Sequence, residues 1–169
     1  LDQANKKGST PLFMACQNGH LNVATLLVDK GANIEQANND GRSSLYIACG
    51  NGHLKIAALL LDKGAKIDQA KNDGATSLFM ACQEGHLNVA ALLVHKEANI
   101  DQVMNDGATP LHIACQSGHL KIAALLVDKG AKIDQANNNG FTPLFIACEN
   151  AHLKVAALLV NKGATIDQA

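Results

Sequence analysis

Gly107-Ala108-Thr109-Pro110-Leu111-His112-Ile113-Ala114-Cys115-Gln116-Ser117-Gly118-His119-Leu120 is the stretch whose reading decides the fold. Thr109 is a helix N-cap residue, and Pro110 falls at the first helical position, where its missing N–H costs nothing. The pattern predicts a short helix over about 110–116, broken at Gly118. A second helix is predicted from about Leu120 to Lys129, because Leu120, Ile122, Ala123, Leu125, Leu126 and Val127 form one wide apolar face. Gly130 ends it, with Lys129 favourably placed at the negative end of the helix dipole. The polar stretch 132–140 closes on Asn137-Asn138-Asn139-Gly140, a tight-turn signal.

Outward from this stretch the same frame returns every 33 residues. It carries His20, His53, His86, His119 and His152, and likewise Cys16, Cys49, Cys82, Cys115 and Cys148. Gly8, Gly41, Gly74, Gly107 and Gly140 keep the same spacing. Five copies run over about 2–34, 35–67, 68–100, 101–133 and 134–166, and 167–169 begin a sixth. Self-similarity at this period is the signature of a repeat architecture, in which each unit buries its apolar face on its neighbour.

Thr109-Pro110-Leu111-His112-Ile113-Ala114 is similar to the ankyrin signature Thr-Pro-Leu-His-x-Ala, and Gly118-His119-Leu120, Leu125-Leu126 and Gly130-Ala131 continue the likeness. The resemblance spans essentially the whole chain. It implies an all-α ankyrin-repeat solenoid, a single repeat domain over 1–169 built of stacked antiparallel helix pairs with projecting β-turn fingers. It also implies a binding platform for another protein, with no catalysis and no cofactor.

The chain departs from the family pattern in places. Where the family usually has Asp at the start of the finger, this chain has Asn5, Asn38, Lys71, Met104 and Asn137; an acid stands just before the Gly instead, at Asp40, Asp73 and Asp106. Different hydrogen bonding in the fingers is therefore expected. Ser43-Ser44-Leu45-Tyr46 replaces the tetrapeptide in repeat 2, and Phe13, Phe79 and Phe145 replace its His in repeats 1, 3 and 5. Glu97 and Ala151 stand where the other copies have Gly, and each is expected to cost roughly 1 kcal/mol if the site needs a positive φ.

Composition narrows the function. The net charge is −1 and Arg42 is the only arginine, which argues against nucleic acid. No apolar run reaches the roughly 18 residues that span a bilayer, so no membrane insertion is expected. The odd cysteine count and the absence of an Asn-x-Ser/Thr site favour a reducing, intracellular setting, most simply the cytoplasm.

The recurring Cys and His invite a metal or nucleophile reading, but their spacing opposes it. Equivalent residues on adjacent packed helices lie about 8–10 Å apart. That is too far for a disulfide or for shared zinc ligation. The Cys is expected to be a small buried hydrophobe. The His is expected to bond backbone at the start of helix two and to bridge repeats. His95 is expected to be exposed near a helix end, and His112 to take the family's His position on helix one.

Positions identical in all copies report packing: Leu111, Ala114, Leu120, Ala123, Leu125, Leu126, Ala131 and Ile133 with their counterparts. Variable positions fall on the fingers and the exposed side of helix one, which the resemblance places on a concave face. Their Asn, Gln and Asp residues predict polar recognition, with Asp40, Asp73, Asp106, Gln83, Glu84, Gln116 and Glu149 as candidates. Lys7, Asn39, Gly50, Asn72, Asn105 and Asn138 belong to the same variable set. Arg42, Tyr46 and Phe141 are the expected main contributors to affinity, since Arg and aromatics dominate binding hot spots. For Phe141 the competing expectation is packing on its own loop.

Both terminal copies read like internal repeats, for example 23–28 and 155–160. Apolar ends are therefore expected, covered by flanking repeats or by weak head-to-tail association of copies. The alternative to an interaction module is a structural spacer or model repeat array with no dedicated partner, which the near-uniform Asn/Asp fingers favour somewhat.

Overall fold

The computed structural model describes residues 1–166; the start of the sixth copy, 167–169, lies outside the described residues. The described residues form ten helices and no strand: α1 Pro11–Gln17, α2 Leu21–Asp29, α3 Ser44–Gly50, α4 Leu54–Asp62, α5 Ser77–Gln83, α6 Leu87–His95, α7 Pro110–Gln116, α8 Leu120–Asp128, α9 Pro143–Glu149 and α10 Leu153–Asn161. Each repeat contributes one short and one longer helix. The second helix of repeat 4 stops at Asp128, and Lys129 serves as its C-cap.

Every first helix starts in the same way. The hydroxyl of Thr10, Ser43, Thr76, Thr109 or Thr142 accepts the backbone N–H three residues on, at 3.1–3.4 Å. That satisfies one of the N–H groups a helix start leaves orphaned. Between the helices the chain turns through the left-handed region. Ala151 (φ 57°) and Glu97 (φ 65°) adopt it despite their side chains, so the surrounding packing outweighs the roughly 1 kcal/mol each costs.

The chain divides into two compact units, Leu1–Ala98 and Asn99–Ala169. In the first, α1 packs on α3 and α3 on α5, while α2 packs on α4 and α4 on α6. In the second, α7 packs on α9 and α8 on α10. Both cores are built alike. Leu12, Leu45, Leu78 and Leu111 are shut away from solvent, as are Ala48, Ala81, Ala114, Cys49, Cys82 and Cys115. Small Ala and Cys side chains let neighbouring first helices approach closely.

Identity across copies overstates burial in one respect. Leu120, Leu125 and Ile133 are only half-buried, whereas Ile56, Val89, Ile122 and Val155, which alternate between Ile and Val, are fully buried. Each fully buried Leu or Ile is worth about 1.5–3 kcal/mol. The ion pairs Lys63–Asp29 (2.8 Å) and Lys162–Asp128 (2.7 Å) are about half exposed and contribute at most about 1 kcal/mol each. Burial, not surface charge, holds each unit together.

Candidate protein-interaction face

The fingers share one backbone conformation whatever residue starts them. In repeat 2 the Asn38 N–H donates to the Arg42 carbonyl (3.0 Å), and the Gly41 N–H donates to the Asn38 carbonyl (2.9 Å). The Lys71 and Met104 fingers close with the same two bonds. What changes is the side chain that braces the turn. Asn5, Asn38 and Asn137 each accept two finger N–H groups on Oδ1, as with Asp40 (3.1 Å) and Arg42 (2.9 Å) on Asn38. Lys71 and Met104 cannot accept. There the acid two residues on takes over: Asp73 accepts from the Ala75 N–H at 3.1 Å and Asp106 from the Ala108 N–H at 3.0 Å.

A second set of bonds joins finger to finger. Asn39 Nδ2 donates to the Lys6 carbonyl (3.2 Å), Asn72 Nδ2 to the Asn39 carbonyl (3.4 Å) and Asn138 Nδ2 to the Asn105 carbonyl (3.0 Å). Gly41 (φ 80°) must be glycine twice over, because a Cβ there would also collide with Asn72 Oδ1. These asparagines therefore cross-link the fingers. Asp73 is committed too: Lys71 Nζ lies 2.5 Å from its Oδ2, and that bond holds its carboxyl below the usual range.

In the first unit the finger and helix-one face carries two hollows. One, of about 410 Å³, lies over repeats 1 and 2 among Lys7, Phe13, Met14, Asp40, Arg42 and Ile47. The other, of about 280 Å³, lies over repeats 2 and 3 among Arg42, Tyr46, Ile47, Gly50, Met80 and Glu84. Arg42 and Ile47 belong to both, so the two hollows adjoin. Arg42, Tyr46, Asp40 and Glu84 are thus brought together, and Gln83 bonds to Glu84 at 3.2 Å. Tyr46 is only 5% exposed, so it forms floor and does not project. Burial, with Asp73 and Glu84 nearby, pushes its phenol up to about 12 despite Arg42.

In the second unit the candidates are dispersed. Phe141 stacks on Phe145 of its own repeat, with centroids 4.5 Å apart and rings 10° from parallel. Its carbonyl lies 3.0 Å from His112 Nε2. Asp106, Gln116 and Glu149 are exposed. Phe145, half exposed at the outer face of repeat 5, carried no signal in the sequence, because its counterparts Phe13 and Phe79 are buried.

The recurring histidines bridge repeats, but not through the start of helix two. His53 Nε2 reaches the Gln17 carbonyl (3.2 Å), His86 the Gly50 carbonyl (3.0 Å) and His152 the Gln116 carbonyl (3.0 Å), each at the last residue of the preceding first helix. None caps its own helix with its side chain. His95 is exposed at the end of α6, and His112 is buried on α7. Cys16, Cys49, Cys82 and Cys115 are buried, and desolvation pushes all four thiols up, three of them to about 12. At neutral pH these four are not thiolates. Cys148 departs from the expectation and is exposed. Among the described residues no three His, Cys, Asp or Glu side chains converge as a metal site, and no helix is long and apolar enough to cross a membrane.

A search of curated proteins returned no match. The family model for ankyrin repeats matches three times, over residues 1–71, 37–104 and 78–169, so the matches together run the length of the chain. With the paired helices, the fingers and the His-to-carbonyl bridges between repeats, they establish that the chain belongs to the ankyrin-repeat family, whose repeats generally act as protein-interaction modules.

Proposed function

We propose that this protein binds a protein partner, without catalysing a reaction, through the finger and helix-one face of its first unit. The observation that carries the reading is the pair of adjoining hollows that meet at Arg42, where residues not needed by the repeat frame are gathered. The net charge of −1, with one arginine, supports a protein partner over nucleic acid. Four buried free thiols fit a reducing, intracellular setting. Affinity capture on the immobilised chain, followed by mass spectrometry, tests the reading. A specific partner should be lost when Arg42, Gln83 and Glu84 are changed to Ala and kept when Lys55, Lys121 and Lys154, exposed on the second helices α4, α8 and α10, are. Retention by the first variant would sink it.

A second mode has its own observation. Val23 (48% exposed) and Leu26 (57%) open the outer face of repeat 1, although the Val23 counterparts Ile56 and Val89 are sealed. Leu153 (79%) and Phe145 open the outer face of repeat 5. Repeat 2 already docks this kind of surface on repeat 1, so a second copy of the chain fits as a weak head-to-tail partner. Sedimentation velocity should show a mass that rises with concentration and falls in Leu26→Glu; a fixed monomer mass at high concentration contradicts it.

A further inference from the structure

Gly50 is the last residue of α3, where repeats 1, 3, 4 and 5 have Gln17, Gln83, Gln116 and Glu149. The backbone does not demand a glycine here: its φ is not positive, and an added Cβ would meet Met80 Cε at 3.6 Å, an ordinary contact. A helical Gly is among the least favourable choices by propensity. What its missing side chain provides is access to Tyr46, Ile47 and Met80 in the hollow over repeats 2 and 3.

Arg42 stands at the mouth of the same hollow, in a finger position that holds Ser9, Ala75, Ala108 and Phe141 in the other repeats. Its side chain is 41% exposed, and Asp40 Oδ2 lies 3.7 Å from its Nε, within ion-pair range but too far for a hydrogen bond. The buried Nε has no hydrogen-bond partner. Lys7 lines the adjoining hollow on the repeat 1 side, and Glu84 closes the hollow on the repeat 3 side. Towards repeat 1 the groove thus carries two cations, Lys7 and Arg42, against one carboxylate, Asp40; it is apolar in the middle and ends on Glu84 towards repeat 3.

We infer that this groove takes an extended acidic–apolar peptide segment of the partner, with a carboxylate on Arg42 and Lys7 and the neighbouring apolar side chain in the gap left by Gly50. A carboxylate can engage the guanidinium in a bidentate pair, which a lone ammonium cannot match. Met80 and Ile47 give the apolar side chain a deformable floor. The inference rests on the proposal that this face binds a protein, and it adds the chemistry of the segment and the two residues that select it.

The test selects a phage-displayed random peptide library on the chain of residues 1–169. Synthetic binders are then measured by fluorescence anisotropy against wild type, Arg42→Gln, Gly50→Gln and, as an outer-face control, Lys121→Gln. The expected binders have Asp or Glu beside Leu, Ile, Met or Phe. Their affinity should fall about tenfold or more in Gly50→Gln and in Arg42→Gln, and hold in Lys121→Gln. Gly50→Gln should melt at or above the wild-type temperature, which separates a filled gap from a damaged fold. Neutral or basic binders that are still lost with Gln83→Ala plus Glu84→Ala would leave the face standing and overturn the peptide chemistry. Binders indifferent to every groove substitution, or no binders at all, would overturn both.

Discussion

Repeats 2 and 4 share one frame and use it differently. In repeat 4, Thr109-Pro110-Leu111-His112 closes a reciprocal cap: His112 N–H donates to Thr109 Oγ1 (3.4 Å) and the Thr109 N–H donates to His112 Nδ1 (3.1 Å). Nδ1 therefore accepts, the ring proton sits on Nε2, and that proton reaches the Phe141 carbonyl (3.0 Å). Pro110 is buried at the first helical position. Repeat 2 keeps half of this. Tyr46 N–H donates to Ser43 Oγ (3.1 Å), but nothing returns the bond, and the buried Ser44 hydroxyl has only the weakly hydrogen-bonding Cys16 thiol beside it. Gly50 weakens the end of the same helix. Repeat 4 spends its variable positions on stability, while repeat 2 leaves Arg42, Tyr46 and Gly50 around an open hollow. Departures from local rules concentrate where a fold carries function. Ser77 meets Cys49 in the same way in repeat 3, so the Ser44 arrangement is not itself tied to the groove.

The largest expected effect is on the repeat 4 side. His112→Phe copies the residue of repeats 1, 3 and 5 but removes the cap return and the link to Phe141. It should cost about 2–3 kcal/mol of unfolding free energy in a denaturant titration. The same variant sharpens the pH argument. Burial lowers the His112 pKa and outweighs the Phe141 bond and Asp106, which raise it, so the unfolded chain binds the proton more readily than the folded one. Wild-type stability should therefore be complete above about pH 6.5 and fall as the pH drops below it, levelling off beneath the folded pKa. His112→Phe should lose that part of the slope. An unchanged slope would show that His112 is not what separates the two repeats.

A smaller effect is expected from exchanging the first helical residues. Ser44→Pro should stabilise by about 0.5–1 kcal/mol, because it fixes φ in the unfolded chain and removes a buried hydroxyl whose neighbour is only a thiol. Pro110→Ser should destabilise by a similar amount. Equal melting temperatures for both variants and the wild type would break the claim that repeat 2 is the less optimised copy. Smallest of all is the outer face: Asp29→Asn, which breaks the half-exposed pair with Lys63, should change stability by at most about 0.5 kcal/mol.

The fold was legible because its signals are local and repeated: a cap residue, a glycine break and an apolar helical face recur in phase, and the helices fall where those signals put them. Arg42 and Glu84 were legible as departures from the repeat. The rest depends on contacts about one repeat length apart that a single copy does not contain. Asn39 looks like a free polar finger until the Lys6 carbonyl appears beneath its amide. Tyr46 looks like a projecting aromatic until it is found at 5% exposure, and Phe145 looks like Phe13 until the difference in covering is seen. Gly50 reads as a variable surface position, and its meaning comes only from what its absent side chain leaves open.

The most direct test of the contrast between repeats 2 and 4 is a heteronuclear NMR titration of the full chain with a groove-selected peptide. The largest amide shifts should fall at Arg42–Asn51 and Met80–Glu84, with 109–117 and the second-helix residues Lys55, Lys121 and Lys154 unmoved. Shifts centred on 109–117, or on those lysines, would contradict the account.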